Sequence, residues 1–191
     1  MAGKIFITSD LHFGHNKEFL WGPRGFNSIQ EHDETIIKNW NSIVEPDDDV
    51  YILGDLMLND NTHGIECLRQ LKGRLHIVWG NHDTPTRQNL YDELPNIVDA
   101  GSWARVIRYR KYNFHLSHWP TDTANYDDVE KGLRASLISL SGHTHKKEKF
   151  HNGNIMKYNV ALDAHNNYPV LLDNAIEDIK EYAKCLTQFN T

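Results

Sequence analysis

The sequence predicts one α/β domain in which two β-sheets pack face to face with helices outside. Three observations predict it. Short apolar, β-rich runs alternate with amphipathic helical segments over the first ninety or so residues, the pattern of parallel strands joined by helical crossovers. From Trp103 onward strand-like runs dominate until a closing helix, which calls for a second sheet. A chain of 191 residues that is 39% hydrophobic can bury one core but hardly two, so a single domain over 1–191 without a cap domain is expected.

The elements follow in order. Residues 4–8 form an apolar run that delivers Ser9 and Asp10 at its C-terminal end. After a Gly/Pro/Asn-rich loop over 14–27, Ser28 and Glu31 have capping-box spacing, and Ile29, Ile36, Ile37, Trp40, Ile43 and Val44 recur at helical intervals. Residues 49–53 read as a second strand closed by Gly54-Asp55. Ile65, Leu68 and Leu71 mark a helix stopped by Gly73, and residues 75–79 give a third strand ending in Gly80-Asn81-His82-Asp83. Parallel pairing in this β-α-β-α-β series points the three strand ends the same way. Thr84-Pro85 opens a short helix to about Leu94. Residues 103–109, 112–116 and 137–140 are strands, His151-Asn152-Gly153-Asn154 reads as a hairpin turn between 149–150 and 155–160, and a helix over 174–188 shows Ile176, Ile179, Ala183 and Leu186 on one face.

Composition narrows the function. With 20 Lys+Arg against 26 Asp+Glu the net charge is −6, which excludes a surface built to grip nucleic acid everywhere. No run approaches the ~18 apolar residues of a membrane span and no signal-peptide core is present, so a cytoplasmic protein without a membrane partner is expected. Cys67 and Cys185 form no Cys-x-x-Cys pair, which argues against a disulfide framework or a thiolate zinc knuckle. The outlier is 12 histidines.

In open α/β sheets chemistry gathers beyond the carboxyl ends of the strands. Those ends hold Asp10 and His12, then Asp55, then Asn81, His82 and Asp83, then His118, then His143 and His145. Glycines 54, 80 and 142 beside them let the chain bend sharply. Two carboxylates, four imidazoles and an amide carbonyl from among these suit two borderline divalent cations, because imidazole favours Mn, Fe, Zn, Co or Ni and a carboxylate can bridge two ions.

In order and type these blocks match a known family. Asp10-x-His12, Gly54-Asp55, Gly80-Asn81-His82-Asp83, His118 and Gly142-His143-Thr144-His145 resemble the motifs of the calcineurin-like metallophosphoesterases. His12-Phe13-Gly14-His15 and Asn39-Trp40-Asn41 resemble the small bacterial and phage members in particular. The resemblance implies the four-layer sandwich of that family and a dinuclear site: Asp10, His12 and His145 on one metal, Asn81, His118 and His143 on the other, and Asp55 on both. It implies that His82 assists the phosphate and leaving group, with Asp83 orienting it. The expected cofactors are two transition-metal ions, Mn²⁺ first, with Fe, Zn, Ni or Co as alternatives. The expected reaction is hydrolysis of a phosphomonoester or phosphodiester by metal-activated hydroxide.

Other residues divide between functional and structural readings. His15, Asn16 and Arg24, in the loop after the first strand, are candidates for the substrate phosphate. His32, His63, His76, His115, His151 and His165 match no block and read as surface or packing residues. Arg105, Arg108, Arg110 and Lys111, interleaved with Trp103, Tyr109 and Tyr112, read as the solvated face of a hairpin more readily than as a nucleic-acid strip. The competing functional readings are a metal-stabilised interaction module without turnover, and a nuclease or cyclic-nucleotide phosphodiesterase with nucleic acid or a nucleotide as partner.

Overall fold

The computed structural model describes residues 3–123 and 136–188. Its first sheet has the order β4-β3-β2-β1-β9, built from Ile97–Ser102 (β4), Arg74–Val78 (β3), Asp49–Leu53 (β2), Ile5–Thr8 (β1) and Val170–Leu171 (β9). β1, β2, β3 and β4 run parallel and only β9 is antiparallel to its neighbour. The second sheet has the order β5-β6-β7-β8, from Ala104–Tyr109, Tyr112–Ser117, Leu137–Ser141 and Lys157–Asn159. β6, β7 and β8 are parallel, while β5 folds back on β6 as a hairpin.

Side-chain alternation along the strands separates two apolar cores. Phe6, Val50, Ile52, Leu75 and Ile77 face a helix layer in which Ile36 and Trp40 of α2 (Ile29–Ile43) and Leu68 of α3 (Asn61–Arg69) are buried. Ile7, Leu53 and Val78, one position along, face Phe114, Leu116, Ile138 and Leu140 of the second sheet, with Ile176 and Ile179 of the closing helix α5 (Leu172–Gln188). A short helical turn α1 (Glu18–Trp21) and the helix α4 (Pro85–Tyr91) complete the chain. The two-sheet α/β architecture with flanking helices is the one predicted.

Ser28 caps α2 as its spacing implies: its Oγ accepts from the Glu31 N–H at 3.1 Å. The Glu31 carboxylate accepts from the Asn27 N–H at 2.9 Å, one residue before the cap. The stretch around His151 differs from expectation. His151–Gly153 is a 3₁₀ turn, Phe150 and Tyr158 form an isolated antiparallel bridge, and β8 pairs in parallel with β7 instead of closing a hairpin. A turn that looks local in sequence is overridden there by the edge of a sheet that offers β8 a ladder.

Candidate metal centre

The parallel strands of both sheets deliver their C-terminal ends to one place, and backbone bonds fasten the loops that leave them. The N–H groups of Asp10, His12 and Phe13 donate to the carbonyls of Gly54, Asp55 and Leu56 at 3.0, 3.0 and 3.1 Å, tying the loop after β1 to the loop after β2. Gly142 N–H donates to the His118 carbonyl at 3.0 Å, tying the ends of β6 and β7. Asp10, His12, Asp55, His143 and His145 all have positive φ, between 51° and 68°. Such left-handed backbone in non-glycine residues costs on the order of 1–3 kcal/mol each and persists where surrounding structure dictates side-chain direction. Here it turns five polar side chains inward. Gly142 allows the closest approach, since a Cβ there would overlap Ser9 Oγ and Asp10 Oδ2.

Two groups of donor atoms result, and they share Asp55. In the first, His12 Nε2 lies 3.2 Å from His145 Nε2, 3.8 Å from Asp10 Oδ1 and 3.6 Å from Asp55 Oδ2. In the second, His118 Nε2 lies 3.4 Å from the same Asp55 oxygen, 2.9 Å from Asn81 Oδ1 and 3.0 Å from His143 Nδ1. Of three groups among the described residues close enough to hold a metal ion, two lie here: Asp10, His12 and His145, and Asp10, Asp55 and His118. The third, Asp33, His63 and Cys67, lies between α2 and α3.

The lone pairs at the centre face one another. His118 Nδ1 donates to the Leu53 carbonyl at 2.8 Å, which turns Nε2 toward the Asp55 and Asn81 oxygens. His145 Nδ1 donates to Asp163 Oδ2 at 3.2 Å, which aims a bare Nε2 at Asp10 in the same way. Asp10 Oδ1 is buried without a hydrogen-bond partner. Converging ligand atoms of this kind fit a cation, and His118 and His145 are oriented as ligands usually are, by a hydrogen bond from the opposite ring nitrogen, whereas His12 Nδ1 is buried without a partner.

The crowding of these groups shifts their ionisation in both directions. Burial pushes the His12 imidazole down to about 3, so it is neutral and able to coordinate at ordinary pH. Burial, the Asp10 charge and Asp83 push the Asp55 carboxyl up, against the pull of His118. Burial also raises Asp10, but its contact with His12 and the nearby His118 and His145 outweigh this and hold it low. Burial and His118 lower His143, whereas at His145 the Asp163 and Asp10 carboxylates overcome burial and raise it.

The remaining candidates fall differently. His82 sits half-buried at the rim, its Nε2 4.0 Å from Asp55 Oδ2 and its ring 5.6 Å from that of His12. His15 is also brought in, with its ring 5.4 Å from His12. Asn16 is exposed and lines a separate cleft with Asn61 and His63.

Two assignments need correction. Asp83 does not hold the His82 ring. Its buried carboxylate accepts from the N–H groups of Gly80, Asp55 and Leu56 at 2.8, 2.8 and 3.3 Å and from Tyr91 Oη at 2.8 Å, so it locks the loops after β2 and β3 together. Arg24 is not available to a substrate phosphate. Its fully buried guanidinium donates to Asp163 at 3.1 and 2.7 Å, to the Asp10 carbonyl at 2.8 Å and against His32 at 2.9 Å, beneath the centre.

His32 and His63 belong to this buried network as well, because Asp33 contacts His32 Nδ1 at 2.6 Å and His63 Nε2 at 2.8 Å. Asp163, which orients His145 and pairs with Arg24, is the residue sequence reasoning missed. Its segment, Asn159 to Asp163, resembles the family's closing strand and reads as structural.

The model of the calcineurin-like phosphoesterase superfamily domain matches residues 4–161. The chain belongs to the calcineurin-like phosphoesterase superfamily. It is 32% identical over 186 residues to an uncharacterised protein of Methanocaldococcus jannaschii, a match covering 93% of this chain and 92% of the relative. It is 38% identical over 160 residues to the Gene 66 protein of Mycobacterium phage L5, covering 73% and 76% of the two chains. A crystal structure of a protein of unknown function from Aquifex aeolicus superposes with a TM-score of 0.68 at 20% identity, over 92% of this chain and 98% of that one, and shares the fold. Superfamily membership makes phosphoester hydrolysis the chemistry of this chain at the coarsest level. Among the described residues no helix is long and apolar enough to cross a membrane.

Proposed function

We propose that the chain hydrolyses phosphate esters at a dinuclear centre. Asp10, His12 and His145 would hold one divalent ion, Asn81, His118 and His143 would hold the other, and Asp55 would be shared. The observation that carries this reading is the common distance of Asp55 Oδ2, 3.6 Å from His12 Nε2 and 3.4 Å from His118 Nε2, the separations expected of donors that meet on ions bound at about 2.0–2.2 Å. Imidazole, carboxylate and amide donors without thiolate suit Mn²⁺, with Fe, Zn, Ni or Co as alternatives. When bound, such ions supply Lewis acidity toward phosphate oxygens and acidify water at neutral pH.

The protein's own contribution is placement. Asp10 and Asp55 are buried carboxylates whose charge demands a counter-ion in a poorly solvated site, and fixed positive charge there favours the more highly charged transition state over the substrate. His82, at the rim with its Nε2 4.0 Å from Asp55 Oδ2, would serve as the proton donor to the leaving oxygen. Burial and Arg87 hold its imidazole below the ordinary range, so it enters neutral. An anionic phosphate beside the ring favours its protonated form, which couples the proton to the presence of substrate.

The test is turnover of bis-p-nitrophenyl phosphate and p-nitrophenyl phosphate with Mn²⁺, after chelation, and in Asp55→Asn. Metal-dependent release of p-nitrophenolate that is lost in the variant supports the reading. Metal-bound, folded protein without turnover of either ester favours the interaction module instead.

A further inference from the structure

Among the described residues two exposed indoles stand in stacking contact beside this centre. Trp103 is 55% exposed and Trp119 37%, and their rings lie 6.0 Å apart with 29° between the planes. Trp119 directly follows the candidate ligand His118. Its ring meets His118 edge-on at 5.1 Å and His143 at 6.0 Å, so it walls the half of the centre formed by Asn81, His118 and His143. Trp103 is the residue at which the chain passes from β4 of the first sheet to β5 of the second. The Trp119 carbonyl accepts from Ser117 Oγ at 2.8 Å and from Thr121 Oγ1 at 3.0 Å, which fixes the backbone that presents the ring.

A single exposed hydrophobic residue needs no explanation, but two large rings stacked at the rim of a phosphoesterase centre do. Resting on the phosphoesterase reading above, the geometry points to a base-stacking subsite. The open face of the Trp103–Trp119 pair takes the nucleobase of a nucleotidyl phosphoester, while its phosphate lies at the metal centre one ribose away. Tryptophan offers a broad π-face at little cost in side-chain entropy, and stacking accepts any base because every base has such a face. Among the described residues, two of the neighbouring cations are already committed to carboxylates. Arg105 is paired with Asp99, and Arg110 with Asp173 at 2.7 Å. The single ring pair offers one stacking face, suited to one base, as in a mononucleotide ester or a dinucleotide.

The experiment compares thymidine 5′-(p-nitrophenyl phosphate) with methyl p-nitrophenyl phosphate, two diesters that share a leaving group, one carrying a nucleoside and the other a methyl group in its place. Wild type should prefer the thymidine ester in kcat/KM. Trp103→Ala and Trp119→Leu should reduce that preference by roughly 10-fold, within the range of about 5- to 150-fold that loss of a base-stacking ring produces, chiefly through KM. Trp119→Phe should restore most of it, which a merely apolar contact would not require. An unchanged preference in both ring-deleting variants, with metal content and circular dichroism intact, overturns the subsite while leaving the phosphoesterase reading in place. If wild type hydrolyses neither ester the phosphoesterase reading fails separately, and equilibrium dialysis of thymidine 5′-monophosphate against the Mn²⁺-loaded protein then decides. Binding at least 10-fold weaker in Trp103→Ala supports the subsite, and equal binding overturns it.

Discussion

Replacing Asp163 by Ala separates the support beneath the centre from the centre itself. The carboxylate accepts two hydrogen bonds from Arg24, at 3.1 and 2.7 Å, and one from His145 Nδ1 at 3.2 Å. The Arg24 side chain is fully buried, so removing its only ion-pair partner among the described residues strands a guanidinium away from water. Breaking a buried pair from one side costs about 3–5 kcal/mol, because the remaining charge keeps its desolvation penalty. The carbonyls of Asp10 and Leu11, which also accept from Arg24, lessen this loss, so the lower part of the range is expected. A second effect is distinct from the first. His145 loses the acceptor that directs its Nε2 toward Asp10, and loss of such a partner weakens metal binding about 10- to 100-fold.

Urea denaturation of the chelated protein reads the first effect, and calorimetric titration with Mn²⁺ at pH 8 reads the second. The pair Arg24→Met and Asp163→Leu should recover most of the stability, since an apolar replacement of similar volume leaves no buried charge. It should not recover metal affinity, because His145 still lacks its partner. A single variant that loses less than about 1 kcal/mol, or a double variant with wild-type affinity, refutes this reasoning.

Gly142→Ala should unfold or empty the centre, because the new Cβ would overlap Ser9 Oγ and Asp10 Oδ2 in a packed site; overpacking costs about 1–3 kcal/mol, and metal analysis of the purified variant checks the loss. Burial pushes His165 down to about 4 from its ordinary 6.5. Between these values the unfolded chain binds more protons than the folded one, so stability rises with pH and is fully present above about 6.5; acidification to pH 4 should cost about 3 kcal/mol. His165→Gln keeps a donor for the Asn159 carbonyl but cannot titrate, so the difference between the two pH profiles of urea stability isolates this contribution. His82→Ala should keep its metals and lose more rate on an alkyl leaving group than on p-nitrophenolate, which departs without a proton; equal losses on both would remove the acid role.

Much of the centre was legible because its residues sit where chain direction and chemistry coincide. An apolar run followed by Asp10 and His12, or by Gly54-Asp55, shows both a strand and what its end carries, and the parallel pairing of β1, β2 and β3 makes those ends converge. Arg24 and Asp83 were misread for a common reason. Their types suit an active site, but what decides their role is whether the charge faces solvent or backbone amides, and that depends on contacts distant in sequence, such as Arg24 with Asp163 and Asp83 with Asp55. Asp163 reads in sequence only as part of a closing structural segment, because the partners that give it a role at the centre lie 139 and 18 residues away. β9 escaped notice because two residues, Val170 and Leu171, are too few to show a period.

The central claim is that two ions share Asp55. Titrating chelated protein with Mn²⁺ while recording electron paramagnetic resonance and metal content tests it most directly. Two ions per chain with an exchange-coupled spectrum, and loss of the coupling in Asp55→Asn, is the result predicted, since one carboxylate oxygen lies within reach of both donor groups. One ion per chain, or two ions with the spectrum of isolated Mn²⁺ in the wild type, would contradict it.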